Sequence, residues 1–188
     1  VLRERKSLDK EVNMPRTHAN RGRNLEELIT YANVRYRKQK IAVIDKVPTE
    51  WIPQRGKSGK IVGAKVTKKA IVDFTGHYQG YPIAFDAKHT REHSIRWDEL
   101  QPHQAEFLSD WELTGGKSFI LVSFNMQYFF MVPWSFWKAG LDQWLDTGIK
   151  PSLSIKEIPD NYHIQLGGYF CLDYLKAVDT RCSMSSSC

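Results

Sequence analysis

Asp73, Asp86 and Lys88 are the residues of this chain whose types and spacing suit chemistry. Two carboxylates stand with twelve residues between them, and an ammonium follows the second at i+2. They lie in 71–88, IVDFTGHYQGYPIAFDAK, which reads as two short strands around a glycine-containing turn. Alternation along Tyr81–Lys88 sets Asp86 and Lys88 on one face beside Ala84, with Tyr81, Ile83 and Phe85 on the other. Over Ala70–Thr75 the same alternation places Asp73 with Ile71 and Thr75, and a hairpin then carries it toward the other two. A carboxylate and an ammonium on an otherwise apolar strand are costly to bury without a partner or a task. Two carboxylates form an oxygen site suited to Mg²⁺, which takes few carboxylates and keeps several waters. A lysine beside such a site can position or polarise a metal-bound water for attack on phosphorus. The plain alternative is a strand-end salt bridge, and D-x-K by itself does not decide between the two.

The elements that must hold these groups follow from periodicity. Asn24 is an N-cap for a helix running to about Lys38, with Leu25, Leu28, Ile29, Ala32 and Tyr36 as its apolar stripe. At about 100° per residue Glu26 flanks that stripe and can look into a site at the edge of the core, whereas Glu27 points to solvent. A first-turn acid facing the helix dipole is the competing reading for Glu26. Ile41–Asp45 is a short strand. A second helix runs from Asp98 or Pro102 to Leu113, with Leu100, Phe107, Leu108 and Trp111 inward and His103 and Gln104 on the same face. Polar groups on that face require partners, which a metal site or the backbone can supply. Gly115 and Gly116 end the helix.

Charge singles out one further stretch. From Lys46 to Lys69, seven basic residues (Lys46, Arg55, Lys57, Lys60, Lys65, Lys68 and Lys69) face Glu50 alone, a local excess equal to the +6 of the whole chain. A block of this size points to a polyanion, of which nucleic acid is the commonest. Gly56, Gly59 and Gly63 punctuate it, so a protruding ribbon or loop with a basic tip is expected over about 48–69. GKSGK resembles the end of a phosphate-binding loop, but no glycine precedes it at the right distance, which excludes nucleotide binding by that motif.

The remainder reads as one domain over 20–180, preceded by a basic arm over 1–19 with a helical turn near Ser7–Val12, and followed by a frayed tail over 181–188. His89–Trp97 is expected as a loop. Ser118–Phe124 and Tyr128–Pro133 are continuous apolar strands around a tight turn at 125–127, fit for the middle of a sheet covered on both faces. Trp134–Leu145 is a packing helix, and an edge strand is expected near Tyr169–Leu175. The result is an α/β sandwich around a mixed sheet. The three cysteines, Cys171, Cys182 and Cys188, show no metal-ligand spacing and suit a reducing compartment. No apolar run approaches the roughly 20 residues of a membrane span, and no secretory leader is expected.

With these residues in place, D-x12-D-x-K fits the PD-(D/E)xK nuclease pattern, and the chain resembles the RecU family of Holliday junction resolvases of low-GC Gram-positive bacteria and their phages. The likeness runs from about Asn20 to Trp137. It includes Asn-Arg-Gly-x-x-Leu-Glu at Asn20–Glu26, Ile-Ala-Val-Ile-x-Lys-x-Pro-Thr at Ile41–Thr49 and Asp-Phe-x-Gly-x-Tyr-x-Gly at Asp73–Gly80. Phe-Asp-Ala-Lys at Phe85–Lys88, His103-Gln104 and Trp134-Ser-Phe-Trp137 continue it. The resemblance implies a restriction-endonuclease-like PD-(D/E)xK fold, a homodimer in the bacterial host cytoplasm, and paired nicking of four-way junctions with Mg²⁺, or Mn²⁺ in its place. It also implies a stalk entering the junction, and recombinase or branch-migration proteins as partners. Glu26, Asp73, Asp86 and Lys88 take the catalytic places. Asp73, Asp86, the Ala87 carbonyl and Glu26, directly or through water, are the expected metal ligands. Arg21 and Lys46 take places linked to DNA contact or catalysis, the ribbon's Arg55, Lys57, Lys60, Lys65, Lys68 and Lys69 face phosphates, and Gln104 and His103 support the site. Asp86 stands where many relatives carry Glu, and the stalk is shorter than the family's. A duplex-cutting nuclease on this fold, and a non-catalytic DNA-binding or junction-remodelling protein, are the alternatives.

Overall fold

A computed structural model describes residues 25–48, 50–68 and 70–182, with side chains at all of these except 50–52, 64–68 and 179–182. The expected arm over 1–19, Arg21, the Asn24 cap, Lys69 and the end of the tail lie outside the described residues. Helix α1 (Leu25–Lys38) buries Leu25, Leu28, Ile29, Ala32, Asn33 and Tyr36, the stripe read from three- and four-residue spacing. Glu26 and Glu27 in its first turn and Arg35, Arg37 and Lys38 in its last complement the helix dipole. Strand β1 (Ala42–Lys46) follows. The ribbon is β2 (Glu50–Arg55) paired antiparallel with β3 (Ile61–Lys68), a two-stranded sheet of its own. Its tip closes through Gly56 N–H to Lys60 O and Gly59 N–H to Gly56 O, both 2.9 Å, with Gly59 at φ +75°.

The central sheet adds β4 (Phe74–Tyr78), β5 (Tyr81–Thr90), β7 (Lys117–Phe124), β8 (Tyr128–Pro133) and β10 (His163–Ile164); between β5 and β7 the chain passes β6 (Ser94–Arg96) and α2 (Pro102–Leu113). Its order is β1-β4-β5-β7-β8-β10. Only β5 and β7 pair in parallel, because the crossover through α2 brings the chain back in the same direction; the other neighbours are antiparallel. Helix α3 (Trp134–Thr147), β9 (Ser152–Ser154), the small hairpin of β11 (Leu166–Gly167) and β12 (Cys171–Leu172), and α4 (Leu175–Cys182) complete the chain. The architecture is mixed α/β, a six-stranded mixed sheet flanked by helices.

Two cores lie on the two faces of the sheet. On one, α1 and α4 cover Ile83, Phe85, Phe119, Leu121, Phe129 and Met131. Rings of Phe74, Phe85 and Phe119 stack there across three strands, with centroids 5.0 and 4.5 Å apart. On the other face, Leu108, Trp134 and Trp137 cover Ala84, Ile120, Val122, Phe130 and Val132. Strands β7 and β8 are therefore apolar at almost every position, as expected for strands covered on both sides. Between β1 and β4 the backbones approach so closely at Gly76 that a Cβ there would stand 2.2 Å from Val43 O and 2.5 Å from Ile44 Cα. Only glycine fits.

Three expectations need correction. Asp73 is not in a strand with Ile71 and Thr75: residues 71–73 form a bend, because Asp73 O accepts the Val47 N–H at 2.8 Å and β4 begins only at Phe74. His89–Trp97 is not all loop. Strand β5 continues to Thr90, β6 pairs with β9, and Trp97 is buried, its indole N–H donating to Lys150 O at 2.9 Å. The C-terminal region has no edge strand at Tyr169–Leu175. The edge is β10, and Leu175 opens a helix whose Leu175, Ala177 and Val178 pack beside α1's stripe. All three misreadings involve short segments fixed by distant partners. No helix among the described residues is long and apolar enough to cross a membrane.

Candidate active site

The C-terminal half of β5 carries the acid and the lysine expected at the site. Its alternation sends Phe85 and Ala87 to the α1 face and Asp86 and Lys88 toward α2. Asp86 has 0% exposure, so its carboxylate needs partners. Oδ1 accepts from Gln104 Nε2 at 2.7 Å. Oδ2 lies 2.5 Å from Lys88 Nζ as an ion pair, but the contact lacks hydrogen-bond geometry and leaves Oδ2 with no hydrogen-bond donor. Lys88, 17% exposed at its side chain, also donates to Gln104 Oε1 at 3.4 Å. Gln104 is itself fixed: its Oε1 accepts the Gln101 N–H at 3.0 Å, within a capping box that starts α2 just before Pro102. One glutamine thus aligns the buried acid with the lysine.

Asp73 arrives from the bend before β4, and its Oδ2 accepts the Ala87 N–H at 2.8 Å. This anchors the first carboxylate on the Asp86-Ala87-Lys88 tripeptide; Ala87 contributes here through its N–H. Burial, and then the negative charge of Asp73, push the Asp86 carboxyl up to about 7, against the opposing pull of Lys88. A buried carboxylate oxygen that meets the Lys88 ammonium but no other donor, beside a second carboxylate, suits a hard cation. Asp73 and Asp86 therefore fit Mg²⁺, with waters and substrate oxygens completing its shell. Among the described residues no group of three or more His, Cys, Asp or Glu side chains gathers as a ready cage.

Glu26 forms a short ion pair with Lys46 at the end of β1, which brings together two of the residues expected at the site. Glu27 is exposed, as its helical phase requires. His103, expected inward with Gln104, is exposed, because the buried line of α2 is Gln104 and Leu108, four residues apart, and His103 lies one step around. On the ribbon Arg55 donates to Gly59 O at 3.0 Å, while Lys57 and Lys60 are exposed at the tip. Lys65 and Lys68 lie on β3, their side chains outside the described set. Gln101 was missed by sequence reasoning; the signal was Gln-x-x-Gln around a proline at a helix start.

If Glu26 supports the site from the rim, Glu26→Gln lowers cleavage by roughly 10–100-fold, the range for residues that orient a metal site from outside it. Glu27→Gln stays within about twofold, as for exposed substitutions. Single-turnover rates on one DNA substrate decide this. Equal activity in both variants would confine the site to the hairpin and α2.

Comparison with known proteins agrees with the motifs. The family model described as Recombination protein U matches residues 20–180. Proteins described as Holliday junction resolvase RecU from Staphylococcus aureus strains JH9 and N315 are each 35% identical over 175 residues, covering 86% of this chain and 81% of the relative. A solved structure of Archaeoglobus fulgidus Hjc, a Holliday junction resolvase, covers 58% of this chain and 77% of its own at 14% identity and a TM-score of 0.39, too slight a likeness to bear on fold or function. The family match spans the helix that carries Glu26, the ribbon, and the Asp73–Lys88 hairpin with its Gln104 clamp; the chain belongs to the RecU family.

Proposed function

We propose that this protein is a metal-dependent endonuclease that resolves four-way DNA junctions by paired nicks, acting as a homodimer with Mg²⁺ in the bacterial cytoplasm. The observation that carries the reading is the buried Asp86, held between Gln104 and Lys88 with Asp73 alongside, in a chain of the RecU family. Asp73 and Asp86 would hold the ion, with the Ala87 carbonyl and Glu26, directly or through water, as further ligands. Bound there, Mg²⁺ would lower the pKa of a water and neutralise charge on the phosphate. Lys88 orients the attacking water and stabilises negative charge developing on phosphorus oxygens. Gln104 keeps the acid and the lysine in register. The ribbon supplies phosphate contacts, which set affinity more than sequence choice. Two symmetric cuts require two sites, which a two-fold dimer provides.

The test is cleavage of a mobile four-way junction against linear duplex of the same arms, with Mg²⁺ and with EDTA. Paired nicks in the junction alone, lost in EDTA, are expected. Equal cutting of duplex would make the protein a general nuclease of this fold, and binding without cutting would make it a DNA-binding protein. The pH dependence has a definite sign. A carboxyl with pKa about 7 is protonated below that pH, and a proton on Asp86 competes with the metal. At limiting Mg²⁺ the rate therefore falls about tenfold per unit as pH drops below 7, and excess Mg²⁺ moves that limb to lower pH. A flat profile between pH 5 and 8 at limiting metal would separate Asp86 from metal binding.

A further inference from the structure

We infer that Gln101 is a positioning residue of this site: its backbone N–H sets which way the Gln104 amide faces, and through that amide the placement of Asp86. For its effect on rate the inference rests on the endonuclease reading above, to which it adds a residue. A glutamine amide has two unlike ends of nearly equal size, and turning it over exchanges a donor for an acceptor. Here both ends meet groups that admit one arrangement. Nε2 donates to Asp86 Oδ1 at 2.7 Å, and an ionised carboxylate only accepts. Oε1 accepts the Gln101 N–H at 3.0 Å and Lys88 Nζ at 3.4 Å, and both of those groups only donate. Turned over, the amide would set its NH₂ against two donors and its oxygen against the Asp86 carboxylate.

Of the two donors into Oε1, the backbone N–H is the nearer and the fixed one. Gln101 O accepts the Gln104 N–H at 2.9 Å and the Ala105 N–H at 3.0 Å, so the first turn of α2 holds position 101 while its own N–H reaches the Gln104 side chain. Lys88 stands on a flexible stem, and it is the group that turns to water and phosphate in the proposed reaction. The Gln101 N–H keeps the amide oriented when Lys88 does so. The local backbone also allows that one N–H to be removed cleanly. Gln101 lies at φ −70° and ψ 151°, and Leu100 at φ −85° and ψ 118°. Proline at 101 and the residue before it take such values without strain. Residue 101 is exposed, so its side chain can be changed without opening a core.

The experiment compares Gln101→Pro, which lacks the N–H, with Gln101→Ala, which keeps it and shares the loss of the side chain. In metal-free protein, proton–nitrogen NMR reads the side-chain amide of Gln104, identified by its absence in Gln104→Met. Relative to Gln101→Ala, the proline variant shifts that signal and exchanges its amide protons roughly tenfold faster, the factor that goes with one hydrogen bond. Its single-turnover cleavage of a four-way junction at saturating Mg²⁺ and DNA falls roughly 10–100-fold, the range for groups that orient a metal site from outside it. Junction affinity in EDTA and the melting temperature stay with those of Gln101→Ala. A proline variant whose amide signal and rate match the alanine variant overturns the inference. Gln104→Met tests the same bond from its other end, whatever the proline variant does to folding. There the Gln101 backbone N–H exchanges roughly tenfold faster than in wild type, and an unchanged exchange rate also overturns the inference. The amide signals separate the two levels: a proline-sensitive Gln104 in a wild-type protein that cuts no DNA would keep the orienting role of Gln101 and remove the endonuclease reading.

Discussion

Asp73→Ala, Asp86→Asn and Lys88→Ala each lower junction cleavage by at least about a thousandfold, while junction affinity stays within a few fold. Removing one group that stabilises developing charge costs on the order of 10²–10³ in rate, and under the proposed mechanism each aspartate would also hold the metal. Affinity is carried elsewhere, by basic side chains on phosphates. Asparagine is chosen at Asp86 because that residue is fully buried and paired with Gln104 and Lys88. Alanine would leave the lysine without its carboxylate in a largely buried setting, a change that destabilises by several kcal/mol, roughly 3–5. Circular dichroism and thermal melts beside single-turnover cleavage separate chemistry from folding. Full activity in either aspartate variant would remove the metal site described above. Parallel loss of binding and melting temperature would make these residues supports of the fold.

The second large effect is expected from the ribbon tip. Neutralising Arg55, Lys57 and Lys60 together removes three charges from an exposed, glycine-punctuated end whose described side chains join neither core. If each meets one phosphate, the salt slope of junction binding falls by about 2.7, so a fourfold rise in salt weakens the wild type about 40-fold more than the variant. The open centre of a junction surrounds an inserted tip with phosphates, whereas a linear duplex presents them along one side. The loss should therefore be greater on junction than on duplex. Metal-dependent nicking should persist at high enzyme concentration, since Asp86 and Lys88 lie on β5 and Asp73 in the bend before β4, none of them on the ribbon. Titrations of both substrates at several salt concentrations measure this. Equal losses on the two would make the ribbon a general DNA clamp and leave junction choice to the shape of the dimer.

Long periodic segments and local turn chemistry were legible in the sequence. The stripe of α1, the β7–β8 pair and the ribbon with its basic tip all follow from spacings within one segment. The turn joining β7 and β8 is tight as expected, a three-residue loop over 125–127 with Asn125 and Met126 at φ 51° and 54° and the Gln127 N–H donating to Phe124 O at 3.0 Å. Local pattern also set Asp86 and Lys88 on one face, since a strand's alternation depends on nothing outside it.

Tertiary structure decided the rest, and the common cause is pairing across long sequence separations. Asp73 left its expected strand because Val47 and Ala87, distant in sequence, supply the N–H groups its backbone carbonyl and side chain accept. Ser94–Arg96 became a strand only because Ser152–Ser154 lies opposite it, and a three-residue pattern is too short to declare a period. Leu175–Cys182 became a helix where it could pack beside α1. The candidate site divides in the same way. Sequence named Asp73, Asp86, Lys88, Glu26 and Gln104, because their types and local phases carry that information. Only the fold could place Gln104 between the acid and the lysine, pair Glu26 with Lys46 and turn His103 to solvent. Those outcomes depend on where α1 and α2 dock against the sheet, and no spacing within either helix encodes that position.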